Sequence, residues 1–235
     1  MKVTLRELVE ALSHLIFPVS CVGCGSSNPA SDQIFCVPCL MDLPMTDLFD
    51  NANNDMEYRL AGRMKLHSAA GLYYFAKGTK IQEAMHSLKY SRNKKVAEHF
   101  GKQFATKWLA ADRLEVPDMI IPVPLHQKRR YQRGYNQSKV FASSISETLN
   151  VSVLDALIKT AHTESQTHKT RQERVSRLQG TIKVKPNTDL MNKHILLVDD
   201  VLTTGATIEV CYQALIDYDD SIQVSVGTMA IAENL

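Results

Sequence analysis

The stretch Ile195-Leu196-Leu197-Val198-Asp199-Asp200-Val201-Leu202-Thr203-Thr204-Gly205-Ala206-Thr207 decides how the rest of the chain is read. Four apolar residues before a paired acid have the composition of a fully buried strand in a parallel sheet. The two carboxylates fall where that strand is expected to end, at the mouth where open α/β sheets bind ligands. Small hydroxyl residues and one Gly follow, and Ile208, Cys211, Ala214 and Leu215 then recur at helical spacing. Strand, tight polar loop and helix start together make an anion cradle, because unpaired backbone N–H groups and the helix dipole both favour a phosphate.

A plainer reading has Asp199-Asp200 merely ending a strand while the Thr residues cap a helix. Against it, acid pair and phosphate loop are adjacent, which suits one ligand carrying both a diol and a phosphate. The loop lacks the Lys and spacing of a Walker A motif, and no Gly-x-Gly-x-x-Gly occurs, which disfavours ATP and dinucleotide folds. The thirteen residues resemble the phosphoribosyl pyrophosphate (PRPP) loop of type I phosphoribosyltransferases. That resemblance implies that Asp199 and Asp200 hold the ribose 2′ and 3′ hydroxyls. It implies equally that the backbone of Thr203, Thr204, Gly205, Ala206 and Thr207 holds the 5′-phosphate.

A chain of 235 residues can bury one sizeable core plus a small appendage. Its 44% hydrophobic and 22% charged residues are ordinary for a soluble globular protein. The net charge of +2 conceals segregation: Leu40 to Tyr58 carries five acids and no Lys or Arg. Between Asp118 and Glu147 stand Lys128, Arg129, Arg130, Arg133 and Lys139 with no acid, and after Lys193 the charged side chains are acidic. A basic strip in a near-neutral protein suits a polyanionic ligand better than general coating of nucleic acid. No run reaches transmembrane length. The apolar stretch before Cys21 is interrupted by Arg6, Glu7, Glu10 and His14, so no clean signal-peptide core forms, and a soluble cytoplasmic protein is expected.

Leu5, Leu8, Val9, Leu12, Leu15 and Ile16 fall at helical spacing, predicting an amphipathic helix over 3–17 ended by Pro18. Cys21-x-x-Cys24 and Cys36-x-x-Cys39 follow, separated by eleven residues. Two such knuckles meet the requirement of a tetrahedral all-thiolate Zn²⁺ site, structural because four thiolates leave no open position. Two disulfides or a redox pair are the competing readings; a cytosolic setting argues against the first, and the second needs only one pair. Cys211, on the apolar face of the last helix, is expected to be simply buried.

Residues 46–65 are acidic, Asn-rich and weakly patterned, and read as a connector between a finger unit over 1–45 and a main domain over 66–235. From Leu66 to Phe75 the pattern is strand-like, and Ile81, Met85 and Leu88 mark a helix carrying Lys89. A second helix, from about Val96 to Ala110, carries Phe100, Phe104 and Trp108, aromatics expected in the core rather than stacked on bases. Met119 to Pro124 is another buried strand stopped by its prolines. Leu125 to Gln137 reads as a basic loop at that strand's end, a candidate second anion site where Arg129, Arg130 and Arg133 can grip phosphate oxygens in bidentate fashion. Helical spacing resumes around Ser138–Leu149, and a last strand is expected near Ile222–Met229. Lys159 to Lys185 holds seven bases against two acids with little apolar content, which suggests a mobile hairpin.

In order along the chain, the four-Cys finger, Leu88-Lys89-Tyr90, Pro122-Val123-Pro124-Leu125 with Arg133-Gly134-Tyr135-Asn136-Gln137, and the Asp199–Thr207 loop resemble the ComF (ComFC) family. Its members are competence-associated and phosphoribosyltransferase-like. The resemblance implies an α/β fold: a type I phosphoribosyltransferase-like parallel sheet flanked by helices, with a small amino-terminal zinc-finger unit. It implies pyrophosphate binding by the loop after the Pro-x-Pro strand, with Leu125, His126, Arg129, Arg130 and Arg133. Gln166, Lys169, Arg171 and Arg174 resemble the flexible loop that closes over the site. Further along, Ser176 or Arg177 and Ile182 stand where the family usually has Asn and Phe.

Residues and resemblance agree on a site for PRPP with Mg²⁺ beside a structural Zn²⁺. Two functions stay open. One is a competence or DNA-uptake protein that binds Mg-PRPP and single-stranded DNA. Its partners would be DNA-uptake and recombination proteins, and through them it would meet the inner face of the membrane. The alternative is an active phosphoribosyltransferase of nucleobase or nucleotide metabolism, whose acceptor no residue identifies.

Overall fold

The run Ile195–Val198 is fully buried in the computed structural model, which describes residues 20–27, 33–160 and 180–233. It lies in the central strand of a sheet built from β1 (Ser68–Phe75), β2 (Met119–Pro122), β3 (Ser152–Val153), β6 (His194–Leu202) and β7 (Gln223–Ala232). The strand order is β1-β7-β6-β2-β3, and every pairing is parallel. A separate antiparallel pair joins β4 (Leu157–Lys159) and β5 (Ile182–Val184). The apolar composition of β6 follows from its place, since a central parallel strand covered on both faces offers no side for a polar residue.

Helices α1 (Val37–Met41), α2 (Asp55–Leu60), α3 (Lys80–Tyr90), α4 (Lys94–Ala110), α5 (Gln127–Arg133), α6 (Gln137–Leu149) and α7 (Ala206–Ile216) complete the described fold. Thr79 caps α3 by accepting from the N–H of Gln82 at 3.3 Å, and Ile81, Ala84, Met85 and Leu88 form its buried stripe. In α4, Phe100, Phe104 and Trp108 are fully buried, as the sequence pattern predicts, with Phe104 edge-on to Phe141 of α6 at 5.3 Å. Cys211 is likewise buried in α7.

Three readings are corrected. The stretch 46–65 is no patternless spacer: it contains α2, and Leu48, Phe49, Met56 and Leu60 join the same core as the sheet. Its apolar residues are too sparse to show a period, and polar side chains organise it instead. Asn54 donates to the carbonyls of Leu48 and Ala69, both at 2.8 Å, while Arg113 reaches the carbonyls of Leu48 (2.6 Å) and Phe49 (2.7 Å). Leu125–Gln137 is not a loop throughout but holds α5, started by His126 and ended by Gly134 at φ 82°. The acid pair, finally, is not the end of its strand, because β6 continues through it to Leu202.

That last correction has a cause in the pairing. β2 accompanies β6 only as far as Pro122 opposite Val198, with one further bond from Val123 N–H to the Val198 carbonyl at 2.9 Å. Pro122 and Pro124 have no N–H to extend the ladder. On its other side β6 continues beside β7, Asp199 opposite Thr228 and Leu202 opposite Ile231. A crevice therefore opens between β2 and β6 where the acids begin. From β2 the chain moves outward to β3, and from β6 outward in the other sense to β7. This is the switch point at which open α/β sheets bind ligands. The helix expected over 3–17 and the loop residues Gln166, Lys169, Arg171 and Arg174 lie outside the described residues.

Candidate functional site at the carboxyl edge of the sheet

Asp199 and Asp200 stand side by side at the crevice with different partners. The Ser138 hydroxyl donates to Asp199 Oδ1 at 2.9 Å, and the N–H of Asp200 donates to the same oxygen at 2.8 Å. Lys89, in the last turn of α3, pairs with Asp200 Oδ2 at 3.0 Å. Burial and, second, the neighbouring charge of Asp200 push the Asp199 carboxyl up to about 7, against the pull of those donors and of Lys89. The site thus stores a carboxylate that gains from any cation or donor brought to it.

Beyond the acids, Thr203 to Gly205 turn the chain into α7. Gly205 sits at φ 78°, a conformation that favours glycine, and a Cβ there would also meet Leu60 Cδ2 at 2.7 Å and press it aside. Arg63 clamps this turn, donating to the Thr204 carbonyl at 3.2 Å and pairing with Glu209 at 3.0 Å. No side chain caps the start of α7. Gly205 and Ala206 are buried, whereas Thr203 is exposed and Thr204 and Thr207 are half-buried.

Across the crevice, α5 sorts the basic residues. Arg129 and Arg133, one turn apart, are half-buried, and Arg130 is exposed. Burial and then Arg133 lower the proton affinity of Arg129, against the favourable pull of Asp200; burial and then Arg129 lower that of Lys159, at the end of β4. Cations held together and out of water in this way are stabilised by an arriving anion. Leu125 and His126 are half-buried beside them. Gln137 is buried and accepts from Arg133 at 3.1 Å, while its Nε2 has no partner among the described residues.

Asp199 and Asp200 lie in β6 just before the 203–207 turn, the charge of Asp200 acts on Arg129, and Arg130 does not share the half-buried side of α5. Lys89, Ser138, Lys159 and Arg63 are members that residue reasoning missed. Lys89 had a signal, because it is the centre of Leu88-Lys89-Tyr90. Tyr135 of the Arg133–Gln137 motif ties that segment down by donating from its hydroxyl to the Leu88 carbonyl at 2.5 Å. Ser138 and Arg63 have no sequence signature; only the fold brings them in.

The four cysteines are also together. Their sulfurs lie within 4.8 Å of one another, none is in a disulfide, and Cys24 Sγ is 3.7 Å from Cys36 Sγ. Zn–S bonds of ~2.3 Å in a tetrahedron demand a sulfur separation of roughly 3.8 Å, whereas a disulfide needs about 2.05 Å. The Cys36 N–H points at Cys21 Sγ at 3.3 Å, the kind of donor that supports a thiolate ligand. The donor set fits a zinc ion.

The parallel sheet with flanking helices, carrying an acid pair and a glycine-turned loop at its carboxyl edge, has the arrangement of the type I phosphoribosyltransferase fold. Residues 136–234 match the family described as phosphoribosyl transferase domain. The chain is 32% identical over 140 residues to DNA utilization protein YhgH of Shigella flexneri, covering 58% of this chain and 61% of that one. It is 33% identical over 97 residues to competence protein F of Haemophilus influenzae, covering 40% and 42%. With competence protein ComFC of Bacillus subtilis it shares 26% identity over 152 residues, covering 63% and 59%. Over these spans the chain is similar to competence proteins F and ComFC and to YhgH. Its match spans about six-tenths of the length of the YhgH relatives. Among the described residues no helix is long and apolar enough to cross a membrane.

The raised carboxyl gives a pH signature. Asp199 binds its proton more tightly folded, near 7, than unfolded, at about 3.9, so its cost to stability is absent near pH 4 and grows until pH 7. Asp199→Asn should therefore melt a few degrees above the parent at pH 8 and level with it at pH 4. Thermal melts of both proteins across that range check this; a gap that is constant with pH would refute the assignment.

Proposed function

We propose that this chain binds PRPP with Mg²⁺ across the β2–β6 crevice, in the service of DNA uptake or utilization. The observation that carries the reading is one acid pair bracketed by two anion-attracting segments, the start of α7 and the basic face of α5. In this reading Asp199 and Asp200 accept from the ribose 2′ and 3′ hydroxyls. Backbone N–H groups from Thr203, Thr204, Gly205, Ala206 and Thr207 hold the 5′-phosphate. Leu125 and His126, with Arg129 and Arg133, receive the pyrophosphate, aided by Lys89 and Lys159. Arg130, more exposed, is left to the rim. Gln166, Lys169, Arg171 and Arg174 belong to the loop proposed to close over the ligand.

Adjacent carboxylates suit Mg²⁺, which takes one or two of them together with substrate phosphates. When bound, the ion would neutralise the pyrophosphate. A zinc ion on Cys21, Cys24, Cys36 and Cys39 would staple the amino-terminal unit. The names of the relatives support a DNA-related role, and the basic strip supports single-stranded DNA as a polyanionic partner. Phosphoribosyl transfer is the second reading. It is favoured by Asp199, whose carboxyl near 7 can take a proton at neutral pH.

Asp199→Asn with Asp200→Asn keeps size while removing both charges. Charged hydrogen bonds contribute ~1.5–3 kcal/mol each, so PRPP affinity should fall by about a hundredfold or more. Calorimetry with PRPP and Mg²⁺ on both proteins measures it, and equal affinity would defeat the site. Elemental analysis of freshly purified, reduced protein should find about one zinc per chain in the finger. Cys21→Ser should lose it and, with it, folding free energy on the order of 10 kcal/mol in that unit. Zinc-free parent protein would remove the metal from the account.

A further inference from the structure

At the opposite end of β6 lies a second group of metal-ligating side chains. His194 opens β6, and His67 immediately precedes β1; these strands flank β7 on either side. Parallel register brings their amino ends level, with His67 N–H on the Val224 carbonyl at 2.8 Å and His194 opposite Gln223. The imidazole centroids are 4.6 Å apart. Glu115, from the turn after α4, completes the group, its Oε2 3.4 Å from His67 Nε2. One ligand atom from each of His67, Glu115 and His194 lies within 4.8 Å of the others. At ~3.3 Å per residue, this group is roughly 16 Å along β6 from Asp199.

The surroundings hold these side chains as a ligand set requires. Buried His194 has its Nε2 2.7 Å from the Ser225 hydroxyl, and Ser225 is in turn 2.8 Å from the Ser68 hydroxyl. Its backbone is fixed on both sides, donating to Asp118 Oδ2 at 2.7 Å and accepting from Asp118 N–H at 2.8 Å. Trp108, fully buried, donates from its indole to the Glu115 carbonyl at 3.0 Å, anchoring an otherwise exposed residue. A ligating histidine ordinarily has its second ring nitrogen held by such a partner, which fixes its tautomer and its aim.

We propose that His67, Glu115 and His194 form a divalent transition-metal site at the amino edge of the sheet, distinct from the cysteine finger and from the acid pair. Two imidazoles and one carboxylate are the donors of zinc, nickel and iron sites with an open coordination position. Mg²⁺ and Ca²⁺ prefer all-oxygen sets and are disfavoured. Exposure of His67 and Glu115 gives the ion an entry path and leaves its remaining positions to water. The ion clips the turn after α4 to the first residues of β1 and β6, and its stabilisation grows with free metal concentration. The bare alternative is a solvent-exposed His67–Glu115 ion pair with His194 tilted against His67, which binds nothing.

Ni²⁺ serves as the probe, added to full-length protein whose finger zinc has been counted beforehand. Calorimetric titration should show one saturable Ni²⁺ site per chain, with no loss of finger zinc. His67→Ala and Glu115→Gln, both at exposed positions that fold independently of the metal, should each raise Kd by about tenfold or more. Ni²⁺ should raise the melting temperature of the parent and leave that of His67→Ala unchanged. Failure of the parent to bind, or equal affinity in parent and both variants, overturns the site. Retention by the two variants alongside loss only on mutating a finger cysteine would assign the Ni²⁺ to the finger and overturn it equally.

Discussion

β6 pairs on both sides as far as Val198 and on one side thereafter, and the site follows from that difference. A strand paired on both sides and covered on both faces can carry only apolar residues. Where β2 stops at its prolines, one side of β6 is released, and polar groups can be carried without being buried unpaired. Asp199 and Asp200 occupy that position. They are partly enclosed, hence the raised Asp199 carboxyl, and yet open toward the segments that leave β2 and β6. Those segments, α5 and the start of α7, bring cations and N–H groups to within reach of one crevice.

Charge balance in the crevice is deliberately incomplete. Lys89 neutralises Asp200, and Ser138 supports Asp199 with a neutral hydroxyl. Arg129 and Lys159 are crowded against each other and against desolvation. Such an arrangement is costly for either sign of charge in isolation, which is why the proposed ligand is one that carries phosphates and a divalent ion together. The structural price is met elsewhere, by the aromatic packing of α4 against α6 and by the Asn54 and Arg113 hydrogen bonds that draw 46–60 onto the sheet.

Much of this was legible because the decisive residues are contiguous. Ile195 to Thr207 declares strand, acids, loop and helix in thirteen consecutive residues, and the cysteine knuckles declare themselves by spacing alone. The segment 46–65 was misread because Asn54 and Arg113 organise it from positions no period reveals. α5 was misread because seven polar and basic residues lack an apolar stripe; its half-buried side becomes visible only when Arg129 and Arg133 are seen one turn apart. Ser138 and Arg63 reach the site from other elements, and proximity of that kind is a property of the topology. The acid pair was expected at the end of its strand because sequence cannot show that a strand loses one neighbour before the other.

The central claim is that one ligand spans two separate anion positions, one at α7 and one at α5. Ribose 5-phosphate and inorganic pyrophosphate are the two halves of PRPP, and each alone should fill one position in the presence of Mg²⁺. The direct measurement is a calorimetric titration of pyrophosphate into protein already saturated with ribose 5-phosphate. The account predicts that pyrophosphate still binds, with an affinity close to that for the free protein. Competition, with the apparent Kd for pyrophosphate rising in proportion to the ribose 5-phosphate present, would mean a single anion position and would contradict it.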